Sequence, residues 1–347
     1  MDIKKISIKE KIGFAVGLIV LLLLGSFLLN VYAMKVLGSS SLKRHAAVVK
    51  LEEEKADTID VLTIGDSESY TSISPLQIWK DTGYTVFVGG QSGQTMNEML
   101  TMLETGLETQ KPKVVLMETN ALFRSGKDLD QLQDLVATRT ASVFPIFQYH
   151  NLWKNVIIKP NIEPVQMNNK GFEIRRGIRP YKGTADYMQE TSEETPISWM
   201  NQRIFDRIVD LCRERGIRLV LYSAPSPVNY SMKKHNRLER LAADHNLLYI
   251  DMNLKSSEIG IDWSRDTLDE GDHLNISGAE KTTSYMESVL QTFGLTDHRK
   301  DASYQEWEDL SRSYQEQVSK YTKEIIRKSA VARFSPSLPG GLMLFHR

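Results

Sequence analysis

Four residue types that can share one acyl-transfer reaction occur in this chain at the ends of separate apolar runs. The first is Ser67, where "VLTI" gives way to Gly65, Asp66 and Ser67 and then to polar side chains. Gly-Asp-Ser is good turn chemistry, because glycine tolerates unusual backbone angles and Asp and Ser bond their own backbone. The same turn can lift a hydroxyl above a sheet as a nucleophile, which then needs a base and donors for an oxyanion. The next apolar run ends in "VGGQSGQT", where Gly89, Gly90 and Gly93 let backbone N–H groups approach a ligand closely. The run after that ends in "METNALF", which brings the amide of Asn120 to the same edge.

The base is one of seven histidines. His45 falls in a polar stalk, His298 and His346 in the tail, and His235 in a polar helix where solvation is expected. His245 has Asp244 beside it but precedes an apolar run, which puts it at the amino end of a sheet. His273, in "DTLDEGDHLNISGAEK", follows the last run and precedes a helix for which Ser277 and Glu280 suggest a capping box. Asp269, Glu270 and Asp272 flank it and can orient an imidazole, as the third member of a triad does. A histidine among acids also suits a cation, but these residues follow no recognisable cation motif and no metal is expected.

The elements that must position these groups read as strand–helix alternation. Short β-branched or aromatic runs at 59–64, 84–89, 113–119, 218–225 and 247–252 suit strands buried on both faces. Amphipathic stretches between them, such as "ISWMNQRIFDRIVDLCRERG" with Gly216 as a C-cap, complete an α/β fold with a central parallel sheet. Sites in such folds gather at the carboxyl ends of the strands. Residues 121–198 break the rhythm with aromatics, Pro, Gly and Arg, and read as an insertion over that edge.

With 347 residues, 41% of them hydrophobic, the chain can bury a full core, and its formal charge of -1 gives no support for a nucleic-acid groove. The single cysteine, Cys212, excludes an intrachain disulfide and any multi-cysteine zinc site. Residues 12–34 carry no charge and are long enough to cross a bilayer as a helix. Lys4, Lys5, Lys9 and Lys11 precede them, so the expected topology keeps the N-terminus cytoplasmic and exports the rest. "NVYAMK" is a poor cleavage site, which favours an uncleaved anchor over a signal peptide. The expected organisation is an anchor over 1–34, a stalk over 35–57, an α/β domain over 58–300 and a helical, then unstructured, tail over 301–347.

The order Gly65-Asp66-Ser67, Gly93, Asn120, His273 resembles the SGNH (GDSL-type) hydrolase superfamily, whose blocks contribute Ser, Gly, Asn and His. Within it, the N-terminal span, "SPLQIW", "YHNLW" and "GDHLN" are most similar to membrane-anchored proteins related to the teichoic-acid D-alanylation D protein. The resemblance implies a three-layer, flavodoxin-like fold, with Ser67 and His273 as nucleophile and base and Gly93 and Asn120 at the oxyanion. Asp66 and His150 are assigned to substrate binding. No cofactor is implied. Two blocks depart from the superfamily's pattern: Glu118 and Ala121 replace the glycine and aspartate of Gly-x-Asn-Asp, and Glu270 stands where Asp-x-x-His has its acid. The implied function is O-acyl transfer to, or removal from, a cell-envelope glycan or polyol polymer, with a membrane-bound O-acyltransferase as partner. The other class of reading is a non-catalytic partner or glycan-binding module, which draws on the altered acid position alone.

Overall fold

The computed structural model describes residues 7–37, 46–124, 140, 169–184 and 186–334. Five parallel strands form one sheet in the order β2-β1-β3-β4-β5: β1 (Val61–Ile64), β2 (Val86–Val88), β3 (Val114–Glu118), β4 (Arg218–Ser223) and β5 (Leu248–Asp251). This is the flavodoxin-like order, with its switch point where β1 lies between β2 and β3. The apolar runs alternate faces with the period of a strand. Leu62, Ile64, Phe87, Val115, Met117, Leu219 and Leu221 join the core on one face of the sheet, and Val61, Val86, Val88, Val114, Leu116 and Val220 join the core on the other.

Local chemistry ends each strand and starts the next helix. Asp66 caps α3 (Ser67–Ser72), its carboxylate accepting the Glu68 N–H at 3.0 Å. Ser74 caps α4 (Pro75–Thr82), which has Pro75 in its first turn and stops at Gly83 with φ 76°. Thr95 and Glu98 form a capping box on α5 (Met96–Thr109). The remaining long helices of the layers are α6 (Trp199–Glu214), α7 (Met232–His245) and α8 (Ile276–Leu290). The cap of α8 is Asn275, whose side chain accepts from Ser277 N and Gly278 N, and Ser277 lies inside the helix. The capping box expected at Ser277 and Glu280 is therefore displaced by an Asx cap two residues earlier.

The segments on either side of the sheet-forming region pack into it. Ala47 and Leu51, on a short helix (Ala46–Glu53) within the expected stalk, are buried in the same core as α5. The tail's helix, α9 (Gln305–Phe334), lays Trp307, Tyr314 and Val318 into that core, with Trp307 5.6 Å from Trp79 of α4. Lys170 ties these pieces together, since its ammonium donates to Glu54 at 2.8 Å and sits 4.6 Å over the Trp307 ring. The expected boundaries at 58 and 300 thus pass through packed structure. Ahead of all this, the helix Ile8–Leu37 carries a stretch, Ile8–Leu29, of mean hydropathy 2.7 that is long and apolar enough to span a membrane.

Of the insertion, residues 169–181 cross the carboxyl edge of the sheet. Their backbone bonds Val88 N–H through Lys170 O, Tyr70 O through Glu173 N–H, Ile276 N–H through Arg175 O and Trp263 O through Tyr181 N–H. The strap so formed runs from the end of β2 to the loop that carries His273.

Candidate active site

Ser67 is the first residue of α3, directly after β1, so its N–H is among those that a helix start leaves without an intrahelical acceptor. Its Oγ lies 2.8 Å from His273 Nε2. His273 Nδ1 lies 2.8 Å from Asp269 Oδ2, and the His273 backbone N–H donates to Asp269 Oδ1 at 2.7 Å. One carboxylate thus fixes the ring from both its side chain and its backbone. Asp272 Oδ2 stands further off, 3.5 Å from Nδ1.

Glu270, in the family's acid register, is not among the ring's partners. The loop explains the shift of one residue. Leu268 N–H donates to His273 O, Thr267 pairs with Leu274, and Glu270 and Gly271 turn the chain through left-handed angles of 66° and 94°. That reversal faces His273 with the residue four positions back instead of three. Glu270 contributes its backbone N–H to Arg179 O at 2.9 Å, which joins the loop to the strap.

Asn120 opens a 3-10 turn (Asn120–Phe123) after β3, and its Nδ2 donates to Asp66 Oδ2 at 2.9 Å. An amide nitrogen carries two protons, so one remains to serve an oxyanion. Gly93, with φ 63°, sits in a turn closed by Gln94 N–H to Gln91 O. Gln94 ties that turn to the Gly65–Ser67 turn, accepting from Gly65 N–H and donating to Gly89 O. Close packing makes glycine necessary here: a Cβ on Gly90 would come within 2.1 Å of Ser69 Oγ.

Asp66, expected to touch substrate, is fully buried. Its carboxylate holds Asn120, caps α3 and pairs with the Arg124 guanidinium. It belongs under the site as a brace, because no face of it is open to a ligand. His150 lies outside the described residues. The other described histidines serve elsewhere: His235, expected to be solvated, pairs with Asp251 at 2.8 Å, and His298 pairs with Asp60 at 2.8 Å. His245 ends α7, 3.4 Å from Asp206.

Three buried acids lie beneath the serine: Asp66, Glu68 and Glu118. Burial, reinforced by the charges of Asp66 and Glu118, pushes the Glu68 carboxyl well above its ordinary range. Its Oε1 accepts from the Asn229 amide, which also donates to Asp272 Oδ1 at 2.7 Å. Burial, then the Asp66 charge, raises Glu118 as well. Lys234 is shifted down by burial, and its ammonium reaches Asn120 Oδ1 at 3.4 Å. Atoms of Glu68, Asp272 and His273 lie within 4.8 Å of one another, a spacing a cation can bridge. The Asn229 amide and the ring's two partners already engage these side chains.

Sequence reasoning passed over Arg124, Asn229 and Tyr230. None has a motif of its own, and each enters the site only through contacts from distant segments. Glu118 was visible as an acid ending the apolar run "VVLM".

No family model matches the chain, and no curated protein matches it. Solved structures do: a lipolytic protein of the G-D-S-L family from Desulfitobacterium hafniense DCB-2, 14% identical, covers 66% of this chain and 98% of its own at a TM-score of 0.37. A lipase/acylhydrolase from Enterococcus faecalis is 13% identical over 67% of this chain and 96% of its own, with a TM-score of 0.38. An acylhydrolase from Bacteroides fragilis NCTC 9343 is 13% identical over 73% of this chain and 98% of its own, with a TM-score of 0.37. The chain is similar to GDSL-type acylhydrolases.

Proposed function

We propose that the chain performs serine-dependent acyl-ester chemistry through Ser67, His273 and Asp269. The observation that carries this reading is the unbroken line Ser67 Oγ, His273 Nε2, His273 Nδ1, Asp269 Oδ2, with both links at 2.8 Å. A neutral imidazole whose Nδ1–H donates to Asp269 presents a lone pair on Nε2 to the serine proton. As Ser67 Oγ bonds to the ester carbon, His273 takes that proton, and the carbonyl oxygen becomes the oxyanion. The N–H groups of Ser67 and Gly93 and the second Asn120 amide proton are its donors. His273 then returns the proton to the departing alcohol, which leaves an acyl-serine, and the same steps in reverse pass the acyl group to an acceptor hydroxyl.

Water as acceptor makes the protein an esterase, and a sugar or polyol hydroxyl makes it an O-acyltransferase. We favour transfer to a cell-envelope polymer outside the membrane, because the apolar N-terminal helix would hold the site near a membrane-bound acyl donor. The rival reading, a non-catalytic module, leaned on the altered acid register, and Asp269 supplies that carboxylate. The test is turnover of an aryl acetate. Ser67→Ala should abolish it at unchanged Tm, since a partly exposed hydroxyl adds little to stability. Turnover in that variant at even a tenth of the parental rate would remove the serine mechanism.

A further inference from the structure

Glu118 is the acid standing where the superfamily's block has glycine, and it is fully buried at the end of β3. It fits because Gly65 has no side chain: a Cβ there would lie 2.5 Å from Glu118 Cβ. Its two oxygens face different partners. Oε2 accepts the Asn120 backbone N–H at 3.0 Å, and Oε1 meets the Tyr230 hydroxyl. Beyond Tyr230 a hydrogen-bonded line continues through Thr119 Oγ1 at 2.9 Å, Ser223 Oγ at 2.7 Å and Tyr249 OH at 2.9 Å, and ends on Asp251 Oδ2 at 3.1 Å. His235 caps the far end at 2.8 Å.

The line admits one continuous direction. Asp251, paired with His235, accepts at the far end, and each hydroxyl can donate toward it and accept from the one before, with Thr119 Oγ1 also 3.3 Å from the backbone acceptor Tyr222 O. In that arrangement Tyr230 O accepts a proton from Glu118, whereas an ionised Glu118 accepts the Tyr230 O–H. A carboxylic acid at Glu118 satisfies both ends, with its O–H to Tyr230 and its carbonyl oxygen to Asn120 N–H. The surroundings agree. Asp66 and Glu68 face it from the nucleophile's turn, Tyr222 and Tyr249 from β4 and β5, Tyr230 from the loop before α7 and Lys234 from the first turn of α7. Of the cations, Arg124 is paired with Asp66, and Lys234 donates to Asn229 O and Asn120 Oδ1. Burial and Asp66 favour the proton on Glu118 as well.

We propose that Glu118, as a neutral carboxylic acid, is the positioning residue that fixes Asn120 at the oxyanion hole and keeps a further negative charge away from the oxygen where the reaction's own charge develops. This rests on the serine reading above. Ionisation of Glu118 would turn the Tyr230 donor around and set a second negative charge beside Asp66, and that charge is unfavourable to a nearby oxyanion. The rate should therefore fall on the alkaline side as Glu118 loses its proton.

The test is the second-order rate of labelling by a fluorophosphonate as a function of pH, which requires no knowledge of the natural substrate. Glu118→Gln keeps the shape and neutrality, so it should label within roughly threefold of the parent at neutral pH and exceed it by about tenfold at around pH 9.5. Glu118→Ala should lose about tenfold at neutral pH, the size of effect expected for a disturbed oxyanion donor. Glu68 and Lys234 both sense the charge of Glu118, so the two profiles are also compared in Glu68→Gln and Lys234→Met backgrounds, where an alkaline difference that persists reports Glu118. Matching alkaline limbs in parent and Gln variant, or an Ala variant at parental rate, overturns the proposal. Ser67→Ala runs alongside: if it labels like the parent, the serine reading itself fails, and a silent Ser67→Ala assigns any failure to Glu118 alone. Should Glu118→Gln not fold, infrared spectra of Glu68→Gln decide, since with that other raised carboxyl of the site removed a carboxylic-acid band must fade over the same pH range as the labelling rate. A band that stays constant while the rate falls contradicts the assignment.

Discussion

The carboxylate on His273 is Asp269, and that choice separates close neighbours. Asp269→Asn leaves the size of the group but removes the acceptor that sets the ring's tautomer, so turnover should drop by roughly 10³–10⁴-fold with little change in Tm. Glu270→Gln should stay within about threefold of the parent, because its side chain is not among the ring's partners. Asp272→Asn falls between them, as a carboxylate 3.5 Å from Nδ1 adds field without a short hydrogen bond. Measured kcat values for the three amides check the order, and a dominant loss at Glu270 would restore the family register. Ser67, His273 and Asn120 were legible because each follows an apolar run at the edge where such sheets hold their sites. The acid was not, because the left-handed turn at Glu270 and Gly271 changes which residue faces the ring, and no spacing rule carries that information.

At the scale of elements, α8 and α9 carry the tests. Glu287 on α8 is mostly buried with Oε1 unpartnered, and burial with the nearby Asp81 charge pushes its carboxyl up to about 7. A raised folded-state value means that the folded chain holds this proton more tightly than the unfolded chain does. The stabilisation is complete below the ordinary carboxylate range and is lost as pH rises through about 7. Glu287→Gln should therefore raise Tm by roughly 2–4 °C at alkaline pH and leave it unchanged or lower in acid, as scanning calorimetry at two pH values can check. On α9, Trp307→Ala should cost about 3–5 kcal/mol in urea unfolding, since the ring is buried against Trp79. A loss of a few tenths would mean that the helix only rests on the surface. The strands were readable from their β-branched runs, whereas the packing of Ala47, Leu51 and Trp307 was not. Two small-footprint contacts on a charged helix, or one aromatic in a polar tail, look the same in sequence whether docked or solvated.

At the scale of the whole molecule, a five-stranded parallel sheet brings residues from 67 to 273 to one edge, and the strap over 169–181 closes around it. The sheet and the edge where the site lies follow from strand–helix alternation. The strap's path does not, because it is set by backbone bonds to Val88, Tyr70 and Trp263 and not by any period of its own. The apolar helix ahead of the domain gives a prediction of topology: protease added outside intact cells should digest the domain and spare a short N-terminal fragment. A soluble secreted form beginning near Met34 would contradict an anchor. The most direct test of the central claim is to treat the intact protein with a fluorophosphonate and map the adduct by mass spectrometry. The account predicts a single stoichiometric adduct on Ser67, absent in Ser67→Ala and at least roughly 10³-fold slower to form in His273→Ala. An unlabelled parent, or an adduct on another residue that survives Ser67→Ala, would contradict it.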